Sequence, residues 1–176
     1  MLIDLSDVFS SRENHIHAEA EYEEDSFGRG KRKVKLLESS KLVLDVYFVE
    51  KNRAKVKGSI NLIFDTVCDR CLKSIPLELK LSFEELVVSP EAESADEEER
   101  QYMEGFKLDT ERLLKNEISL RWPSKILCRE DCRGLCLKCG RDLNEGECGC
   151  DRFVPDPRMA HIKDVFDAYH KETKED

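Results

Sequence analysis

The stretch LVLDVYFVEKNRAKVKGSINLIFD, residues 42–65, decides the fold. Its first part alternates between two faces, and one of them carries Leu42, Leu44, Val46 and Phe48. Its second part alternates in the same way, with one face made of Ala54, Val56, Ile60, Leu62 and Phe64. This period of two is typical of half-buried antiparallel strands. Because only a short turn around Lys51-Asn52-Arg53 separates the two parts, we predict a β-hairpin.

The strand pattern extends on both sides of this hairpin. Residues 75–84 alternate again, with an inward face formed by Ile75, Leu77, Leu79, Leu81 and Phe83. Residues 68–73 join this third strand to the second. Upstream, residues 15–22 form a possible strand with Ile16, Ala18, Ala20 and Tyr22 on one face. A sheet of this kind needs an apolar layer to pack on.

Helical signals follow an acidic interruption. Residues 90–105 are rich in Asp and Glu and poor in apolar anchors, so we expect a mobile acidic loop there. Asp109 is suited to cap a helix that runs to about Leu120 and ends at Trp122-Pro123. A final amphipathic helix is predicted from Asp156-Pro157, and its apolar stripe consists of Met159, Ile162, Val165, Phe166 and Tyr169.

Eight cysteines carry the main chemical signal. Two C-x-x-C pairs are present, and a C-x-x-C turn can direct two sulfurs at one ion, of which tetrahedral zinc takes four. The spacing favours one site made of Cys136, Cys139, Cys148 and Cys150. A second site would use Cys68, Cys71, Cys128 and Cys132. Other pairings stay open, such as Cys68 and Cys71 with Cys136 and Cys139, and some cysteines could be buried as small hydrophobes.

The cysteine segment is poor in material for a core. Between Cys128 and Asp156 the apolar residues are Leu135, Leu137, Leu143, Phe153 and Val154. Burial alone would not offset the ordering entropy of such a segment, whereas one or two zinc ions would. An ion bound by four thiolates has no open position, so we expect a structural role for it.

The prediction is therefore an α+β protein: an antiparallel β-sheet with a short helix, a cysteine-rich metal-clamped C-terminal module and a final amphipathic helix. We assign residues 1–122 to the mainly β domain, with the acidic loop at 90–105. Residues 123–176 form the cysteine-rich module and the C-terminal helix packed on it.

No catalytic site is predicted. The chain carries no phosphate-binding glycine loop, no dinucleotide fingerprint and no H-E-x-x-H motif, and its four histidines lack ligand-spaced partners. Thiol redox chemistry is the rival interpretation of C-x-x-C. It usually requires a helix after the motif, and strand signals resume after Cys71 instead. We expect neither an enzyme nor a small-molecule substrate.

Charge and composition bear on partners and location. The formal net charge of -9 argues against a general nucleic-acid coat, but two local basic groups remain. They consist of Arg29, Lys31, Arg32 and Lys33, and of Lys51, Arg53, Lys55 and Lys57. The first group lies in the run Arg29-Gly30-Lys31-Arg32-Lys33, which we interpret as an exposed basic loop. They could contact phosphates or could simply be solubilising charge. The start of the chain does not resemble a secretion signal and no apolar stretch is long enough for a membrane helix, so we expect a cytoplasmic protein without membrane contact.

The cysteine motifs resemble those of the YceD family. The resemblance lies in residues 127–146, LCREDCRGLCLKCGRDLNEG, in Cys68-Asp69-Arg70-Cys71-Leu72 and in Asp156-Pro157-Arg158-Met159. The order of elements is also similar over most of the chain. Family members differ in their cysteines, and this sequence resembles the cysteine-rich version.

The resemblance implies a role in the accumulation of large-subunit ribosomal RNA, with no established catalytic activity. From it we expect a non-enzymatic ribosome-biogenesis factor that binds precursor ribosomal RNA or the assembling large subunit. The alternatives are an adaptor for a basic ribosomal protein, and an enzyme, either a thiol oxidoreductase or a nuclease.

Overall fold

The computed structural model describes residues 1–29, 32–92 and 100–150, together with residues 162 and 164. The chain divides into two compact units, residues 1–130 and 131–176. Ile162 and Asp164 are helical, and the rest of the predicted final helix lies outside the described residues. So do residues 93–99 of the predicted acidic loop.

The described part of the first unit is built mainly of antiparallel strands. In chain order the elements are β1 (Leu2–Asp4), α1 (Ser6–Phe9), β2 (His15–Ala20), β3 (Ser26–Arg29), β4 (Arg32–Ser39), β5 (Leu42–Glu50), β6 (Arg53–Val67), β7 (Ser74–Val88), β8 (Met103–Glu104), β9 (Lys107–Asp109) and α2 (Thr110–Arg121). Among the described residues, no helix is both long and apolar enough to cross a bilayer.

Strand β6 is the centre of the larger sheet, and it forms a long hairpin with β7. The two strands pair along their whole length, from Arg53 opposite Val88 to Val67 opposite Ser74. The other edge of β6 is shared, with β5 along its first half and β4 along its last part. Strand β2 then extends the sheet beyond β5, and β3 extends it beyond β4. The predicted β5–β6 hairpin and the third strand are therefore confirmed.

Strands β3 and β4 correct one prediction. The run Arg29-Gly30-Lys31-Arg32-Lys33 was interpreted as an exposed loop, but Arg29 ends β3 and Arg32 begins β4. These two residues are paired with each other in the sheet. Lys33 and Lys35 are exposed on β4, and charged residues on an exposed strand face resemble a loop in sequence.

Within the described strands, the inward faces form one apolar core. The predicted positions Val56, Leu62 and Phe64 are fully buried. Gly58 lies opposite Phe83 in the hairpin, and a β-carbon added there would lie 2.1 Å from the ring. The missing side chain therefore provides the space that the Phe83 ring occupies.

Helix α2 covers part of this core. Asp109 caps it, since its carboxylate accepts the amide protons of Glu111 and Arg112 at 3.1 and 3.0 Å. Trp122, directly after the helix, stacks on Phe27 at 5.4 Å between ring centroids and meets Phe64 edge-on at 5.2 Å. The predicted helix and its end at Trp122-Pro123 are confirmed.

A second, three-stranded sheet joins distant parts of the chain. Strand β9 lies between β1 and β8. Thr110 donates to the carbonyl oxygen of Met1 through both its amide, at 3.1 Å, and its hydroxyl, at 2.9 Å. The acidic loop was predicted to extend to residue 105, but Met103–Glu104 forms β8 because it can pair with Lys107–Asp109.

Candidate metal centres

The first cysteine group starts at the tip of the β6–β7 hairpin. The amide of Cys68 donates to the carbonyl of Lys73 at 2.8 Å, and the amide of Leu72 donates to the carbonyl of Cys68 at 2.9 Å. Leu72 has a positive φ of 60°, which closes the turn. This tight loop keeps the sulfurs of Cys68 and Cys71 close together. Both cysteines are buried.

Asp69 fixes the segment that supplies the third sulfur. Its amide donates to the carbonyl of Ile126 at 2.8 Å, and its carboxylate accepts the amide proton of Ile126 at 2.7 Å. The chain then reaches Cys128, whose sulfur lies 3.7 Å from that of Cys71. The hairpin tip and the segment after α2 are thus held together by backbone contacts as well as by sulfur.

Cys132 completes this group of four. The sulfurs of Cys68, Cys71, Cys128 and Cys132 all lie within 4.8 Å of one another. Tetrahedral zinc with bonds of about 2.3 Å would separate its sulfurs by about 3.8 Å. The spacing of 3.7 Å between Cys71 and Cys128 is close to that value. Four thiols at such distances can hold a metal ion.

The second group lies entirely within residues 131–150. The amide of Cys136 donates to the carbonyl of Arg141, and the amide of Gly140 donates to the carbonyl of Cys136, both at 2.8 Å. Gly140 has a φ of +73°, which favours glycine at this turn. The four sulfurs lie within 4.8 Å of one another and belong to Cys136, Cys139, Cys148 and Cys150. This group, too, can hold a metal ion.

Backbone amides favour the thiolate form at two of these positions. Burial raises the pKa of Cys68, but the amides of Cys71, Cys128 and Arg70 outweigh it, and the pKa falls to about 6. The pKa of Cys136 is also lowered to about 6, first by the amides of Cys139 and Lys138. These amide donors stabilise the charged sulfur that a metal ion requires.

Crowding of sulfurs has the opposite effect at Cys150. The neighbouring thiols of Cys139 and Cys148 raise the pKa of Cys150 to about 12. A second negative sulfur so close to the others is unfavourable without a cation. A divalent ion reverses this balance, because it attracts all four thiolates. The donor set therefore fits zinc, which prefers thiolate ligands.

The structure brings together the members of each cysteine group that the sequence analysis favoured. The binding of an ion by either group remains a prediction. The sequence analysis did not identify Asp69 and Asn144. Asp69 binds the backbone of Ile126, near Cys128, and Asn144 donates to the sulfur of Cys132. Asp69 lies inside a C-x-x-C pair, and that position was the available signal. Asn144 had no such signal.

The described side chains of the two predicted basic groups lie toward opposite ends of β6. Lys51 and Arg53 lie at the start of β6, whereas Val67 and the cysteine turn lie at its other end. At about 3.3 Å per residue, β6 spans about 45 Å. The register of Lys35 opposite Asp65 places the nearby Lys33, a member of the other basic group, at the cysteine end. Lys33 lines a cleft there with Val67, Asp69 and Trp122.

Most of the cations predicted on β6 face carboxylates. Lys55 and Lys57 both contact Glu84, at 2.7 and 3.1 Å, and Arg53 contacts Glu50 at 3.3 Å. Of the first basic group, Lys33 is exposed. Lys31 and the side chains of Arg29 and Arg32 lie outside the part of the chain that the structure describes. The positive charge of the β5–β6 hairpin is thus partly neutralised.

Comparison with known proteins places these groups in a family context. The family model "Large ribosomal RNA subunit accumulation protein YceD" matches residues 56–166, a range that contains both cysteine groups. Two relatives, from Mycobacterium tuberculosis and Mycobacterium bovis, are each named only as uncharacterized proteins. Both are 30% identical over 102 residues, which cover 56% of this chain and 49% of the relative.

A plant relative carries a descriptive name. The "Large ribosomal RNA subunit accumulation protein YCED homolog 1, chloroplastic" of Arabidopsis thaliana is 32% identical over 50 residues, which cover 28% of this chain and 16% of that protein. The chain spans about half the length of the mycobacterial relatives. No solved structure matches it significantly.

Proposed function

Because this chain belongs to the YceD family, named for the accumulation of large-subunit ribosomal RNA, we propose that it is a non-enzymatic ribosome-biogenesis factor. In this proposal it binds precursor ribosomal RNA or the assembling large subunit, in the cytoplasm. The single observation that carries the proposal is the family match across residues 56–166, the range that holds the cysteine groups. The family name describes an effect on RNA and names no reaction.

The proposal includes zinc as a structural component, with one ion in each cysteine group. The support is the pair of four-sulfur groups, with sulfurs within 4.8 Å of one another. Bound zinc would saturate its coordination with thiolates and supply folding free energy rather than reactivity. The Cys68-x-x-Cys71 turn joins two antiparallel strands, which is unlike the helix N-terminus that activates redox thiols.

We assign the RNA contact to the cysteine end of the first unit. Lys33 and Lys73 are exposed at or beside the hairpin tip. In contrast, Lys55 and Lys57 both pair with Glu84 on the sheet face. An exposed cation attracts a phosphate more strongly than one that already contacts a carboxylate. The tip is therefore the better phosphate surface of the two.

Binding to large-subunit precursor RNA across a salt series tests this proposal. Phosphate contacts predict that the logarithm of the binding constant falls linearly with the logarithm of salt concentration. Replacing Lys33 by alanine should make this slope shallower by about one. Lys80→Ala is the matched control, because Lys80 is an exposed lysine near Glu78 on β7.

Two results would contradict the RNA proposal. One is the absence of binding at low salt to both precursor RNA and pre-ribosomal particles. The other is an equal slope for Lys33→Ala, Lys80→Ala and the unmodified protein, which would remove the assigned surface.

A second function is supported by the overall charge. A net charge of -9 suits an adaptor that binds a basic ribosomal protein. Co-purification with ribosomal proteins that persists after RNase treatment would favour the adaptor. Loss of co-purification after RNase would favour direct RNA contact.

A further inference from the structure

Asn144 connects the loop of the second cysteine group to a sulfur of the first. Its side-chain nitrogen donates to the sulfur of Cys132 at 3.4 Å. In the sequence Asn144 lies between Cys139 and Cys148, which both belong to the second group. The side chain therefore lies in the loop of one group and contacts a member of the other.

Two further hydrogen bonds of the side chain and one of the Asn144 backbone hold the side-chain amide in a defined orientation. The side-chain oxygen of Asn144 accepts the amide proton of Arg133 at 2.8 Å. Its side-chain nitrogen also donates to the carboxylate of Asp142 at 2.6 Å, and its backbone amide donates to the same oxygen at 2.8 Å. Only the oxygen can accept and only the nitrogen can donate, so this set of partners fixes which end of the amide faces Cys132.

Two backbone contacts shape the loop that carries Asn144. Leu135 pairs with Asp142 in an antiparallel bridge, and the amide of Leu143 donates to the carbonyl of Gly134 at 2.9 Å. The cysteines of the second group flank this loop at Cys139 and Cys148. An ion that holds these sulfurs would keep the loop, and with it Asn144, in place.

We propose that Asn144 is a positioning residue for the first metal site, so that metal binding at the second group strengthens binding at the first. The inference rests on the proposed function, because it requires that both groups bind metal. The physical basis is an N–H donor to a thiolate: it stabilises the negative sulfur and orients it. Outer contacts of this kind typically change metal affinity by about 10–100-fold.

Cadmium-113 NMR of the full chain tests the inference directly. Cadmium binds thiolate sites and gives one resonance for each group, which correlation to the cysteine Hβ protons assigns. Asn144→Asp keeps the size of the side chain and the acceptor for Arg133, but removes the donor to Cys132. Asn144→Ala removes the donor without adding charge. Glu145→Ala, at an exposed neighbouring residue, is the control.

The expected result is selective. Both Asn144 variants should move the resonance of the first group and lower its cadmium affinity by about tenfold or more. The resonance of the second group should stay in place, which also shows that residues 131–150 are folded. Glu145→Ala should leave both resonances unchanged.

Three results would overturn the inference. First-group resonance and affinity unchanged in both Asn144 variants would show that the contact has no effect. Equal changes in both groups would show that Asn144 supports the module in general. A wild-type chain that binds no cadmium would refute the metal proposal and this inference with it, whereas loss of RNA binding alone would leave the inference standing.

Discussion

The first unit and residues 131–150 differ in what occupies their centres. In the first unit the centre consists of apolar side chains such as Leu44, Leu62 and Phe64, none of which is exposed to solvent. In residues 131–150, Leu143 is buried but Leu137 is 98% exposed. The centre of that segment is a group of sulfurs. The first unit is thus built around buried hydrocarbon, and residues 131–150 are built around potential metal ligands.

The difference indicates two independent sources of stability in one chain. Burying a large apolar side chain contributes about 1.5–3 kcal/mol, and the sheet has many such side chains. Residues 131–150 have few, so their order is expected to depend on a metal ion. Treatments that act on one source should therefore leave the other region unchanged.

Removal of metal is the strongest way to test this comparison. We expect chelation of zinc under reducing conditions to cost residues 131–150 on the order of 10 kcal/mol and to disorder them. Amide resonances of β5, β6 and most of β7 should keep their dispersion in a two-dimensional NMR spectrum, because apolar burial holds those strands.

The same spectrum contains the contradicting result. If residues 131–150 keep their dispersed resonances after metal analysis shows that zinc has been removed, the segment does not depend on metal. Re-addition of zinc is the control and should restore the original spectrum.

A cavity in the apolar core tests the source of stability of the first unit. Phe64→Ala removes a fully buried ring that Trp122 contacts, and should lower the free energy of unfolding by about 3–5 kcal/mol. Urea unfolding followed by the fluorescence of Trp122, the single tryptophan of the chain, measures this change.

Zinc content should be unaffected by that substitution. The control is Phe106→Ala at a half-buried ring, which should cost clearly less. An equal cost for both substitutions would contradict a stability based on core burial. Loss of zinc from Phe64→Ala would show that the two sources of stability are not independent.

The helix cap gives the smallest expected effect. Asp109→Ala removes the acceptor for the amides of Glu111 and Arg112 and should destabilise the first unit by about 1 kcal/mol. Asp109→Asn is the matched control, since asparagine can also cap a helix. Urea unfolding measures both variants, and an equal loss for both would mean that charge, rather than capping, matters at this position.

The sequence predicted the strands whose two faces differ clearly in polarity. Strands β5 to β7 alternate regularly, so their inward residues could be named in advance. Strand β4 could not be recognised, because Lys33, Lys35 and Leu37 are all exposed and its register shifts between Leu36 and Glu38. Its place in the sheet is set by pairing with β6, which is a long-range contact.

For the candidate metal centres, too, the local pattern could be predicted and the supporting contacts could not. Cysteine spacing limited the groupings to a few, because short C-x-x-C loops restrict where two sulfurs can lie. The supporting contacts of Asp69 with Ile126 and of Asn144 with Cys132 connect residues that are 57 and 12 positions apart. No local pattern encodes such contacts. The contacts of Lys55 and Lys57 with Glu84 also join two different strands, so the sequence did not predict that these lysines are neutralised.

The pairing of β1 with β9 has a consequence for the order in which the chain folds during its synthesis. Thr110 holds the carbonyl of Met1 from 109 positions away. At about 20 residues per second, the fastest usual rate of translation, Leu2 waits about five seconds before its partner Asp109 exists. The larger sheet can begin to assemble in that interval. Strand β1 therefore finds its place only after the strands of the larger sheet have been synthesised.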